Sequence, residues 1–237
     1  PNHNFTQTTK PASSNLGKLT QALTNPIFLG DILNISPVHG SRDCRLSNVL
    51  TSLNLVRYIQ LQQDHPGEST MQITTLLGSA RKKGNTATVL GWVEEELVSL
   101  GHDVDRIYLN NKSIRGCLGC AKCRENPDDI ACVQNDDAID IMGQMVSSDV
   151  VLFASPIYFW GFPAQIKALI DRGYSLVTNY HKPGHTSLME GKRIGLLVTG
   201  ADPYEQNAEG MFTAFDRIVD FLLARKSGEL YVGECNV

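Results

Sequence analysis

The 237-residue sequence has little of what several common protein classes require. Its formal net charge is −4, so it carries no overall basic field for nucleic acid. The longest uncharged run, residues 150–166, contains Pro156, Gly161 and Pro163. It therefore predicts a buried strand and a loop, because a membrane span needs about 20 apolar residues. The first residues do not resemble an export signal. We expect a soluble, cytoplasmic protein without nucleic-acid or membrane partners.

Catalytic side-chain patterns are also missing. No Ser/His/Asp arrangement and no pair of carboxylates at a suggestive spacing is visible in the sequence. Two phosphate-binding motifs are absent as well, because Asn85 stands where a Walker loop needs lysine and no G-x-G-x-x-G occurs. Any chemistry performed by this chain is therefore expected to come from a bound group.

The first 70 residues differ in character from the rest. They are rich in Asn, Ser, Thr, Gln and Leu and show no clean period. Met71 directly precedes the first clear strand, and Gly67-Glu68 matches an in-frame reading of a ribosome-binding sequence. We expect residues 1–70 to be mostly upstream sequence read as protein, with Met71 as the native start; a real but poorly ordered extension is the alternative. Residues 71–237 are expected to form one domain that lacks its last helix.

From Met71 onward, strands alternate with amphipathic helices. Helices are predicted from Asn85 or Thr86 to Gly101, from a cap near Asn135, from Pro163 to about residue 172, and along the stripe of Met211 and Phe215, ending before Gly228. Strands are predicted at residues 72–77, 104–109, 149–154, 193–198 and 229–233. This alternation predicts an α/β fold with a five-stranded parallel sheet covered on both faces.

A turn of small and basic residues follows the first predicted strand. Residues 78–86 read GSARKKGNT and lead into a helix. Free N–H groups at a helix N-terminus, the hydroxyls of Ser79 and Thr86, and the cations from Arg81 to Lys83 suit a phosphate monoester. The alternative is an ordinary β–α turn.

An aromatic loop follows the third predicted strand. Residues 158–162 read YFWGF and lie between Pro156 and Pro163. Such a loop predicts a stiff apolar ledge with free backbone N–H groups, on which a flat heteroaromatic ring can stack. The alternative is a hydrophobic loop that plugs the edge of the sheet. Thr199-Gly200 forms a third loop at the same edge.

Four of the six cysteines fall within sixteen residues, at Cys117, Cys120, Cys123 and Cys132. Thiolates at this spacing can wrap one iron–sulfur cluster, and Gly116 and Gly119 would let backbone N–H groups approach the sulfurs. Zinc is an alternative, although zinc sites usually use two separated C-x-x-C pairs. Free, redox-sensitive thiols are the third possibility.

Three motifs in order resemble the NAD(P)H-dependent FMN reductases of the flavodoxin-like fold. They are GSxRxxGNT at 78–86, SPxY at 155–158 and PxxxKxxxDR at 163–172, and the resemblance covers residues 71–235. It implies a doubly wound sheet of order 2-1-3-4-5. It also implies hydride transfer from NAD(P)H to bound FMN, with electrons passing to a quinone, flavin or iron–sulfur acceptor. A non-enzymatic flavodoxin-like carrier and a redox-regulated binding module are the alternatives.

The same resemblance assigns roles to residues. Ser79, Arg81, Asn85 and Thr86 would hold the FMN phosphate in the loop that includes Gly84. The isoalloxazine would lie along Pro156, Ile157, Tyr158, Phe159, Trp160 and Gly161, with Thr199 and Gly200 on the other side of the ring. Lys167 and Asp171 are expected to pack or pair on their helix rather than react. Apart from the resemblance, Tyr174 and Tyr180 lie near the long loop before the fourth predicted strand and are candidates for a nicotinamide or acceptor pocket.

The cysteine segment resembles that of the iron-sulfur flavoproteins, a branch of the same family. This likeness implies a [4Fe–4S] cluster held by Cys117, Cys120, Cys123 and Cys132. The last gap, eight residues, is slightly longer than is usual in that branch. A homodimer or homotetramer in which a neighbouring subunit completes the flavin pocket is implied as well, with a small-molecule acceptor or a redox protein as partner.

Overall fold

Six parallel strands form the central sheet in the computed structural model, which describes residues 33–34, 70–125 and 129–235. All of these residues belong to the unit Ile32–Val237. The strands of this sheet are β1 (Leu33–Asn34), β2 (Gln72–Leu77), β3 (Asp103–Tyr108), β4 (Val150–Pro156), β7 (Arg193–Thr199) and β8 (Arg225–Val232). A separate antiparallel pair consists of β5 (Val177–Thr178) and β6 (Thr186–Ser187).

The order across the large sheet is β3-β2-β4-β7-β8-β1. Its first five strands confirm the predicted parallel order 2-1-3-4-5. The sixth strand, β1, pairs with Leu230 and Tyr231 of β8 and was not predicted. Apart from Leu33, Asn34 and residue 70, the predicted N-terminal extension lies outside the described residues. Whether it is native stays a prediction.

Four helices cover the two faces of the sheet. They are α1 (Asn85–Ser99), α2 (Asp137–Ser147), α3 (Ala164–Arg172) and α4 (Glu209–Phe221). Helix α1 packs in one apolar cluster with Ile73 and Leu152, whereas the other three helices pack in a second cluster with Leu76 and Phe153. Neighbouring residues of one strand thus face opposite sides, as the two-residue period of a strand requires.

Several element ends differ from the prediction for local reasons. Helix α2 begins at Asp137 because the carboxylate of Asp136, not Asn135, caps it by accepting the Ala138 N–H at 3.2 Å. Pro163 is the residue before α3 rather than its first residue. Strand β8 begins at Arg225 rather than at Glu229, and one extra residue between Lys226 and Glu229 forms a β-bulge opposite Ile194 and Leu196.

None of the helices in residues 70–125 and 129–235 has the length and apolar character needed to cross a bilayer.

Buried side chains line both faces of β4, where six of the seven residues are buried. This pattern is typical of a central strand in a parallel sheet that is covered on both sides.

Candidate functional site

The turn after β2 lies close to helix α3. The Gly78 N–H extends the pairing of β2 by donating to the Ala154 carbonyl at 2.8 Å. A Cβ at Gly78 would lie 2.9 Å from Cβ of Ile166, so a glycine is needed for α3 to approach this closely. The turn and the start of α3 are therefore held together at the carboxyl edge of the sheet.

Helix α1 begins without a side-chain cap. Its N-cap residue, Gly84, is extended, and no side chain accepts a hydrogen bond from the first turn. Because the first N–H groups of any α-helix have no partner within the helix, those of Asn85, Thr86 and Ala87 point out of its end. An uncapped N-terminus of this kind suits an anion such as phosphate.

The polar side chains of the turn divide into buried and exposed groups. Ser79 is buried, and its hydroxyl oxygen accepts the Arg81 N–H at 3.1 Å, which leaves its proton available to a further acceptor. The side chains of Arg81, Lys82 and Lys83 are exposed. The predicted phosphate residues thus occupy one turn, with hydroxyl donors inside and cations at its rim.

Thr86 joins this turn to the loop after β7. Its hydroxyl lies 2.7 Å from the hydroxyl of Thr199, and both residues are buried. Asn85, in contrast, donates from its amide nitrogen to the Cys235 carbonyl at 2.9 Å. Two of the three predicted loops therefore meet directly, and the Asn85 amide is engaged with the segment after β8.

The aromatic loop after β4 is a tight hairpin that stands in solvent. Tyr158 and Gly161 exchange backbone hydrogen bonds of 3.0 and 3.1 Å, and between them Phe159 and Trp160 have φ values of 47° and 59°. Phe159 is 95% exposed and Trp160 64% exposed. Positive φ values at both central residues are typical of type I′ turns. The alternative reading, a loop that plugs the sheet edge, does not describe this geometry.

Several backbone N–H groups of this loop already have hydrogen-bond acceptors. Ile157 donates to the Thr199 carbonyl at 3.0 Å, and the N–H groups of Tyr158 and Gly161 are used within the hairpin. Pro156 has no N–H. Within the described part of the chain, Phe159 and Trp160 keep N–H groups without an acceptor. The free N–H groups that were predicted for this loop are therefore confined to the tip of the hairpin, because the turn closes on itself.

The Thr199-Gly200 loop is shaped by a residue that the sequence did not indicate. A Cβ at Gly200 would overlap the hydroxyl of Tyr231. That hydroxyl donates to the Asp202 carbonyl at 2.5 Å and accepts from the Asn207 amide at 2.9 Å. Burial raises the pKa of Tyr231 to about 12, so the hydroxyl keeps its proton at neutral pH. Tyr231 therefore fixes the position of the loop.

Gly200 itself makes two backbone hydrogen bonds. Its N–H donates to the Val232 carbonyl and its carbonyl accepts from the Cys235 N–H, both at 3.0 Å. It is thus a packing position at which the chain after β8 is tied to the loop. Thr199 is the residue of this loop whose side chain reaches the turn after β2, at Thr86.

All four predicted cysteine ligands line one cavity of about 260 Å³. Cys117 and Cys120 are exposed, whereas Cys123 and Cys132 are half-buried. The Gly119 N–H donates to the Cys117 sulfur at 3.4 Å, as expected of a loop that supplies backbone donors to sulfur. Burial, and then the neighbouring thiols of Cys132, Cys117 and Cys120, raise the pKa of Cys123.

The four cysteines share this cavity without forming a preassembled metal centre. Across the residues that the structure describes, no three side chains of His, Cys, Asp or Glu are grouped closely enough to hold a metal ion. The metal role of the four cysteines therefore stays a prediction.

A buried arginine closes the back of this cavity. Arg172, the last residue of α3, donates from Nε to the Cys132 sulfur at 3.1 Å and from Nη1 to the Asp136 carboxylate at 2.9 Å. The same guanidinium donates to the carbonyls of Arg115 and Gln134, at 3.1 and 3.3 Å. The sequence contained Arg172 in a motif but gave no sign of these contacts. Lys167 and Asp171 form the predicted pair on the same helix.

Asp136 should make stability depend on pH in the acid range. Burial opposes its ionisation, but hydrogen bonds from Arg172 and from the backbone of Arg115 and Ala138 outweigh this and lower its pKa to about 2. A carboxyl whose pKa is depressed by folding stabilises the protein above its unfolded pKa. We therefore expect a loss of about 2 kcal/mol as pH falls from about 4 to about 2. Urea unfolding at several pH values measures this slope, which the Asp136→Asn variant should lack.

Tyr174 and Tyr180 hold a second arginine at the cavity. The guanidinium carbon of Arg124 lies 5.2 Å from the centre of the Tyr174 ring and 5.1 Å from that of Tyr180. These distances are within the range of cation–π contacts. The two tyrosines, predicted as a nicotinamide or acceptor pocket, thus pack around the residue that follows Cys123.

Comparisons with known proteins agree with this geometry. Residues 71–221 match the family described as NADPH-dependent FMN reductase. An iron-sulfur flavoprotein of Archaeoglobus fulgidus is 34% identical over 131 residues, which are 55% of each chain. An iron-sulfur flavoprotein of Methanosarcina thermophila is 35% identical over 106 residues, 45% of this chain and 54% of the relative. The chain thus spans about half the length of the curated relatives that it matches.

Solved structures show the same fold at low sequence identity. An NAD(P)H:quinone oxidoreductase from Methanothermobacter marburgensis superposes with a TM-score of 0.56 at 15% identity, covering 71% of this chain and 89% of the other. An azoreductase from Bacillus anthracis gives 0.55 at 14% identity, covering 70% and 88%. The sheet order, the turn after β2 and the matched residues lead to one conclusion: the chain belongs to the NADPH-dependent FMN reductase family.

Proposed function

We propose that this chain binds FMN at the carboxyl edge of β2, β4 and β7 and uses it to oxidise NAD(P)H. The observation that carries the proposal is the contact between the Thr86 and Thr199 hydroxyls. It brings the uncapped start of α1 next to the loop after β7, beside the exposed aromatic hairpin. One edge of the sheet therefore offers an anion site and a stacking surface to the same ligand.

In this proposal the protein contributes binding and orientation. FMN supplies the capacity to accept hydride from a nicotinamide when it is bound. The turn from Ser79 to Thr86, with Arg81, Gly84 and Asn85, would hold the phosphate. The hairpin of Pro156 to Gly161 would carry the ring, with edge hydrogen bonds from the N–H groups of Phe159 and Trp160. Thr199 and Gly200 would bound the other side.

Anaerobic reduction tests the proposed activity directly. Protein loaded with FMN is mixed with NADPH or NADH under argon, and the visible absorption band of the flavin is followed. We expect bleaching with at least one nicotinamide, followed by recovery on addition of a quinone. A protein that binds FMN tightly but bleaches with neither nicotinamide would instead be a flavodoxin-like electron carrier.

Removing the cation at the rim of the phosphate turn should affect FMN and riboflavin differently. Charged hydrogen bonds contribute about 1.5–3 kcal/mol, so Arg81→Ala should weaken FMN binding by roughly ten- to a hundredfold. Riboflavin lacks the phosphate and should bind the variant and the wild type equally. Fluorescence quenching titrations measure both affinities.

The control is Arg217→Ala, which removes an exposed cation from α4, away from the turn. This variant should bind FMN as the wild type does. An equal loss of FMN and riboflavin affinity in Arg81→Ala would contradict a phosphate site at residues 78–86.

The proposal includes an iron–sulfur cluster in the cysteine cavity. Four thiols line one cavity, and two of them accept N–H donors. Four-iron clusters are held by cysteine thiolates and are tuned by hydrogen bonds to sulfur, so we place a cluster ahead of a zinc ion here. Iron and acid-labile sulfide are assayed in anaerobically purified protein. Stoichiometric zinc without iron would show that the cysteines hold a zinc ion and not a cluster.

The electron acceptor, the cellular location and the oligomeric state complete the proposal. With the cluster present, Cys117, Cys120, Cys123 and Cys132 would hold a one-electron relay next to a two-electron flavin site, which suits a redox-protein partner. Without it, quinones or free flavins are the expected acceptors. We propose a cytoplasmic homodimer or homotetramer. The nearly complete exposure of Phe159 supports this, because a neighbouring subunit would cover it.

A further inference from the structure

We infer that Arg172 positions Cys132 and compensates negative charge at the cysteine cavity, so that it favours the reduced state of a cluster held there. The inference rests on the proposed cluster and concerns a residue outside its ligand set. Arg172 touches one cysteine sulfur directly, and its side chain is 0% exposed.

The guanidinium joins the two ends of the cysteine segment. One end enters the cavity at Arg115, whose carbonyl accepts from Nη1, and the other leaves at Gln134, whose carbonyl accepts from Nη2. The Gln134 amide returns a hydrogen bond to the Gly116 carbonyl at 2.9 Å. The first and last segments of the loop are thus held by one planar group, which also contacts Cys132.

The charges are arranged so that sulfur faces the cation. Nε contacts Cys132, whereas Asp136 is bound at Nη1. A buried ion pair contributes little net stability compared with apolar packing, because both charges lose hydration. The position of this ion pair against a sulfur therefore indicates a role for Arg172 besides stabilising the fold. A charged N–H donor next to a sulfur is well suited to stabilising negative charge on it.

Reduction of a cluster would add negative charge of this kind. In the proposed function NAD(P)H would donate two electrons as hydride to the flavin, and a cluster held by the cysteines would accept one of them without a proton while the other stays on the flavin until an acceptor removes it. The added negative charge is shared by the sulfurs, and hydrogen bonds to sulfur together with local net charge set the reduction potential. Arg172 should therefore raise that potential through Cys132.

The test compares Arg172→Gln with Arg172→Lys in the full chain, reconstituted with iron and sulfide under anaerobic conditions. Iron and sulfide content are measured first, and the midpoint potential is then found by spectroscopic titration with dithionite. In Arg172→Gln we expect at least a tenfold lower ratio of reduced to oxidised cluster at a given potential, which equals 59 mV or more for one electron. The midpoint potential of Arg172→Lys, which keeps the charge, should fall less than that of Arg172→Gln.

Arg115→Gln is the matched control. The Arg115 side chain is 62% exposed and pairs with the same Asp136 carboxylate at 3.5 Å, yet its guanidinium does not contact a cysteine. It should keep the wild-type potential and iron content. A potential in Arg172→Gln equal to the wild-type value, or an equal fall in Arg115→Gln, would overturn the inference.

Two further outcomes are distinguishable. Wild-type protein that takes up no iron refutes the proposed cluster and, with it, this role of Arg172, whereas the proposed FMN site is tested separately by the flavin titrations. If both Arg172 variants fail to fold, Asp136→Asn decides, because it removes the opposing negative charge while keeping the bond from Arg172 to Cys132. Its potential should be higher than that of the wild type, and an unchanged or lower value would overturn the inference.

Discussion

Replacing Asp136 with alanine is expected to lower the free energy of unfolding by about 3–5 kcal/mol, because it breaks a buried ion pair by removing one partner. The variant leaves the buried guanidinium of Arg172 without its carboxylate. It also removes the N-cap of α2, a loss that typically costs about 1 kcal/mol by itself. Urea denaturation followed by circular dichroism measures the change.

Asp171→Ala provides the comparison. Asp171 pairs with Lys167 on the same region of the fold, but both side chains are about half exposed. An exposed pair of this kind contributes at most about 1 kcal/mol. Similar losses in the two variants would show that burial of the Arg172–Asp136 pair does not have the energetic weight assigned to it.

Gly200→Ala is expected to lower the free energy of unfolding by about 1–3 kcal/mol and to weaken FMN binding as well. The added methyl group would meet the Tyr231 hydroxyl, which cannot easily move because Asp202 and Asn207 hold it. The loop or the tyrosine must therefore shift, and Thr199 lies next to Gly200. Thermal unfolding and an FMN titration of the same preparation report both effects.

A double variant makes this prediction specific. Tyr231→Phe removes the atom that the new methyl group would meet, so Gly200→Ala in that background should cost less than it does alone. Gly143→Ala is the control for a general effect of replacing glycine. Gly143 lies within α2, no described atom lies within 4 Å of the position its Cβ would take, and this change should stabilise the helix by up to about 1 kcal/mol. Additive losses at Gly200 and Tyr231 would contradict the proposed collision.

The fold was predictable from local patterns. Apolar runs such as residues 72–77, and helical stripes such as that of Val89 and Val93, carry their period in neighbouring residues. The turn at residues 78–84 was predictable for the same reason, since it is one continuous segment between a strand and a helix, while its role in binding phosphate stays a prediction. Strand β1 was not, because a two-residue edge strand has no period of its own.

The contacts inside the site could not be predicted in the same way. Arg172 meets Cys132 across 40 positions of sequence, and Tyr231 meets Asp202 across 29. Contacts of this kind depend on how the loops pack once the sheet has formed. The hairpin at Phe159 and Trp160 was missed for another reason. Positive φ values are normally announced by glycine or asparagine, and aromatic residues give no such signal.

Helix α3 connects the aromatic hairpin to the cysteine cavity. It starts shortly after the hairpin, packs against Gly78 through Ile166, and ends at Arg172, which contacts Cys132. Its nine residues rise by about 13 Å. One short helix thus separates the two candidate sites, and a substitution that displaces it is expected to disturb both.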